Sequence, residues 1–137
     1  MPIRHARQTL ITIIPAILNV VDDSTTYYFG CTNAAPTSAP AYRKLYIGLN
    51  GIITRAEISI CTGTSASAEH LDWYVRVNNT TDYLLYHGAL TADITNISVT
   101  GLNIPIKPTD YIEIKFITPA WVTNPDNLRA GVLLILQ

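Results

Sequence analysis

Three histidines, His5, His70 and His87, and ten acidic side chains are the groups in this 137-residue chain that could bind a metal or move a proton. Zinc needs three or four converging ligands, and a site readable in sequence pairs them two or four residues apart on one element. The histidines stand far apart with no such spacing, so no metal site is expected and each is read as a surface or structural residue. Asp22 and Asp23 are adjacent, whereas calcium loops alternate several carboxylates, so the pair is read as part of a turn. A glycosidase would need two carboxylates facing one cleft. Glu57 and Glu113 alternate with Arg55 and Lys115 on outward strand positions, which points to cross-strand ion pairing instead. No GxSxG elbow, phosphate-cradling glycine loop or HExxH helix is present. The expectation is a protein without catalytic residues or cofactor. Cys31 and Cys61 form no CxxC; they bridge only if strand pairing brings them together, and in a reducing compartment they stay free.

Aromatic side chains offer a different chemistry, stacking on sugar rings. The chain has eight tyrosines and two tryptophans, and Tyr42, Tyr83, Tyr86 and Trp121 fall in or near strand ends and loops. Trp73 alternates with apolar residues and belongs to the core. Trp121, in the turn PAWVTNPDN, is either an exposed platform or a lid over one end of the core.

These residues must be positioned by strands. Runs rich in β-branched residues, separated by turn signals every 8–12 residues, predict an all-β, jelly-roll-like antiparallel sandwich of about eight strands in a single domain. Ile52, Thr54, Ala56, Ile58 and Ile60 fall on one face of a strand opened by an Asn50-Gly51 turn; Leu71, Trp73, Val75 and Val77 face inward in another. Pro15 makes the segment from Gln8 to Val21 an edge or bulged strand. In a double Greek key the N-terminal and C-terminal runs become neighbours. Residues 8–137 form the sandwich on this reading, and residues 1–7 form an N-terminal arm.

A 48% apolar composition suffices for a core, while net charge −1 with 14% charged residues disfavours nucleic-acid or anionic-membrane partners. No apolar run reaches the roughly 18 residues of a transmembrane helix, and the N-terminal run lacks a cleavage site. The last strand, GVLLILQ, is apolar on both faces. Leu133 and Ile135 therefore need cover from the N-terminal segment or another subunit, and they are the candidate oligomer interface.

WYVRVNNTTDYLL, followed by GLNIPIKPTDYIEIKFITPAWVTNPDN and a final apolar strand, resembles the small β-sandwich domains of tailed-phage virion proteins: capsid decoration or cement proteins, head fibres and tail-fibre tips. The resemblance spans roughly residues 44–137 and rests on the RVN turn, DYIEIK and TNPDN. It implies a jelly roll working as a homotrimer, assembled in the host cytoplasm and resident in the virion. Only about 40 residues precede the resembling region, without heptads or collagen-like repeats, which favours a decoration protein binding the major capsid protein or another virion protein. Arg4, His5 and Arg7 are then the candidate capsid-contact arm. The alternative is a receptor-binding fibre tip or carbohydrate-binding module whose partner is a host-surface glycan held by Tyr42, Tyr83, Tyr86 and Trp121.

Overall fold

The computed structural model describes residues 7–32, 34–40, 43–64, 66–91 and 93–137. Among them, eleven strands form two antiparallel sheets. The larger contains β1 (Thr9–Ile13), β2 (Leu18–Val20), β5 (Gly51–Cys61), β8 (Ile94–Val99), β9 (Ile104–Ile106) and β11 (Asp126–Leu136). The smaller contains β3 (Thr26–Phe29), β4 (Leu45–Tyr46), β6 (Leu71–Val77), β7 (Thr81–Gly88) and β10 (Tyr111–Ile117).

Three sheet positions are each filled by two segments in line. β1 and β2 both pair with β11, β3 and β4 both pair with β10, and β8 and β9 both pair with β5. Each break has a local cause. Pro15, which has no N–H to give a ladder, parts β1 from β2. The loop after Phe29 parts β3 from β4, and Gly101, at φ 71°, bends the chain between β8 and β9. Counted by position, the sheets run β1/β2–β11–β5–β8/β9 and β3/β4–β10–β6–β7. That is the eight-position double Greek key of a jelly roll, with the first strand beside the last.

The core lies between the sheets. Ile13, Ile53, Ile58 and Leu134 from one face Phe29, Trp73, Ile114 and Phe116 from the other, all essentially inaccessible. Trp73 stacks on Phe116 with ring centroids 4.6 Å apart, and Phe29 meets both edge-on. Such aromatic pairs add about 0.5–1.5 kcal/mol each beyond area burial.

Two expectations about β5 are corrected. Asn50-Gly51 is not a hairpin turn: β4 and β5 belong to different sheets, so the chain crosses the sandwich there, and the positive φ belongs to Gly48. Gly51 is instead required by close approach, because a Cβ there would lie 2.6 Å from the Gln137 carbonyl oxygen. The inward set is also shifted. A bulge between the Arg55 and Ile53 pairings turns Ile53 into the core and leaves Ile52 41% exposed, since one extra residue reverses a period-2 pattern.

Candidate functional site

β11 is one of the two interior strands of the larger sheet, flanked by β1 and β5. Its inward residues Val132, Leu134 and Leu136 are buried, while Leu133 and Ile135 point outward and stay half-buried. Direct pairing sets the outer surface: Leu10 and Arg55 flank Ile135, and Thr12 and Glu57 flank Leu133. Here the expected cover from the N-terminal segment is corrected. Its described part, Thr9–Ile13, sits beside β11 in the sheet as β1, not over it, because its backbone completes the ladder.

Gly131 interrupts this outer face. A Cβ added there would meet nothing within 4 Å. Above it lie two adjoining shallow hollows of about 330 and 310 Å³, both lined by Ile14, Ser59 and Gly131, and one also by Cys61, Ile94 and Arg129. Leu10, Ile14 and Ile94 are each more than 60% exposed. At one side of this apolar trough, Arg55 and Glu57 share a salt bridge, and Ser98 donates to Glu57 at 2.7 Å. The hydrogen bond from Ser98, then that from Arg55, holds the Glu57 carboxyl below its ordinary range. The pair is within one strand, two residues apart, rather than across strands.

The outer face of the smaller sheet is polar. Asp82 receives hydrogen bonds from Lys115 at 2.6 Å and Arg76 at 2.7 Å. Burial alone would raise its pKa, but these two cations outweigh that and lower it. Glu113 corrects its sequence reading: it is completely buried, both carboxyl oxygens lack a hydrogen-bond partner among the described residues, and Lys115 and Arg76 are committed to Asp82. Desolvation pushes its pKa up, against the pull of Arg76 and Lys44.

At the far end of the β6–β7 hairpin, two of the three histidines meet. His70 Nδ1 lies 3.0 Å from His87 Nε2, with the rings edge-on at a centroid distance of 4.7 Å. His87 Nδ1 is hydrogen-bonded to Asp72, whose second oxygen accepts from Tyr74 at 3.4 Å. Sequence spacing could not show this, because a hairpin makes the neighbourhood. Val77 pairs with Thr81 and Tyr74 with Leu84, but a bulge between Trp73 and Tyr74 shifts the partner of Asp72 from residue 86 to His87. The bulge re-aims that histidine onto the outer face. A signal did exist in Asn78 and Asn79, whose φ angles of 53° and 55° make the hairpin turn; counting back from it lands within one residue of this pairing.

Three of the four candidate stacking aromatics, Tyr83, Tyr86 and Trp121, lie among the described residues. Trp121 is 6% exposed, so its ring offers no face to a sugar, and it is corrected to a lid. Its loop is pinned by Asp23, which accepts from the Trp121 N–H at 3.2 Å and from Asn124 at 2.9 Å, so the Asp22-Asp23 turn acts as a staple. Tyr86 donates to the Ala89 carbonyl, and both Tyr83 and Tyr86 are half-buried against the core. Tyr42, Arg4 and His5 lie outside the described residues; Arg7 is exposed. Cys31 is exposed and Cys61 half-buried, and the two are not bridged to each other. Among the described residues no helix is long and apolar enough to cross a membrane, which leaves β-barrel spanning untouched. No protein-family model and no curated protein matches the chain.

Proposed function

We propose that this protein is a non-enzymatic structural subunit, a homotrimeric decoration protein of a tailed-phage virion that binds the major capsid protein and stabilises the assembled shell. The observation that carries the assembly part is the apolar trough over Gly131, lined by exposed Ile14 and Ile94 and by Leu133, with exposed Leu10 and half-buried Ile135 farther along the same face. Clusters of large apolar side chains left in water mark surfaces made to be covered. The occupant of the trough in this reading is a second copy of the chain, repeated around a closed three-fold ring. A ring that binds only the finished shell stabilises it by mass action, and no reacting group is needed. Resemblance of the sequence to virion β-sandwich domains supports the identity of the shell. The glycan-binding alternative loses its strongest residue with Trp121 buried.

Light scattering on the purified chain tests the assembly. The expected mass is three times the 15.1 kDa of one chain. Gly131→Glu should reduce it to one chain with unchanged circular dichroism, because the new side chain enters open space in the monomer but fills the trough. A wild-type monomer at every concentration, or a Gly131→Glu trimer, would count against this use of the face.

A further inference from the structure

We propose that His70 and His87 form a surface site for a borderline divalent transition-metal ion of the zinc or nickel class, with Asp72 as the carboxylate that orients His87. This inference is independent of the proposed virion role. Imidazole nitrogen is the ligand type that such ions select, and the hard ions calcium and magnesium decline it. Two nitrogen ligands at about 2.0–2.1 Å in tetrahedral directions stand roughly 3.3 Å apart. Here the two nitrogens are 3.0 Å apart, so small ring rotations convert a hydrogen-bonded pair into a chelating one. Both side chains have room for that: His70 is exposed and His87 is 56% exposed.

The hydrogen-bond network also prepares the lone pairs. In the neutral tautomer that donates Nδ1–H to Asp72, His87 keeps a lone pair on Nε2, and the 3.0 Å contact is then a hydrogen bond from His70 Nδ1–H. Metal binding then needs one tautomer change, the His70 proton moving from Nδ1 to Nε2, with no net release when both rings are neutral. A carboxylate behind a ligating imidazole is the arrangement that fixes ring orientation and raises ligand basicity in metal proteins. Among the described residues no group of three His, Cys, Asp or Glu side chains is placed to hold a metal ion. The pair therefore supplies two ligands, and water or a donor from another molecule supplies the rest.

Isothermal titration of the full chain with zinc chloride, and separately with magnesium chloride, tests the site at mildly alkaline pH. Saturable zinc binding and no magnesium binding are expected. His70→Ala and His87→Ala should each abolish it, and Asp72→Asn should weaken it by about 10–100-fold. Nitrogen-detected NMR of wild-type histidines gives a readout free of variants: the His70 tautomer should switch on zinc addition. Absence of saturable zinc binding, zinc binding that survives His87→Ala, or an unmoved His70 signal would each overturn the proposal.

Discussion

Replacing Glu113 with glutamine keeps the side-chain shape and removes an ionisable carboxyl that has no hydrogen-bond partner among the described residues. Its folded pKa is raised above the unfolded value. Between those two values the native chain retains a proton that the unfolded chain has released. The stability this group contributes is therefore full below the ordinary carboxylate pKa and is lost as pH rises through the folded one. Glu113→Gln should raise stability at pH 7 by roughly 1 kcal/mol and leave it unchanged near pH 3, read by urea denaturation across that range. A variant less stable at pH 7 would mean that the attraction of Arg76 and Lys44 outweighs desolvation. Trp121→Ala should destabilise by about 3–5 kcal/mol, as expected for emptying a buried tryptophan site. A melting temperature equal to wild type would return Trp121 to the surface.

Strands were legible wherever one face alone is buried, as in β6, whose Leu71, Trp73, Val75 and Val77 all face inward as their alternation predicts. The break at Pro15 and the pairing of the first strand with the last were legible for the same kind of local or topological reason. What escaped was set by bulges and by cover from other elements. The face of Ile53, the meeting of His70 with His87 and the burial of Glu113 each depend on backbone or loops that period-2 counting does not see. Close backbone approach escapes in the same way. Gly51→Ala should destabilise the larger sheet markedly, since its Cβ would press on the carbonyl oxygen of Gln137. Hydrogen exchange should show the loss first at the Ile52–Gln137 backbone pair, which exchanges bonds of 2.8 and 2.9 Å. Uniform loss across both sheets would contradict that placement.

For the molecule as a whole, assembly and stability are linked. If the trough over Gly131 is covered by neighbouring copies, the melting temperature of the wild type rises with protein concentration, and that of Gly131→Glu does not. Calorimetry over a hundredfold concentration range reads the difference; a concentration-independent wild type would mean that the subunits do not share their stability. The position of β11 bears on a separate matter, the order of synthesis. The strand that joins β1 to β5 runs from Asp126 to Leu136, so the two cannot become one sheet until those residues have been made. On the ribosome the smaller sheet can close as soon as β10 emerges, while Ile13, Ile53 and Ile58 wait without a partner strand between them. Messages cut short before Asp126 therefore yield polypeptides with an open apolar seam, the species that chaperones and proteases recognise.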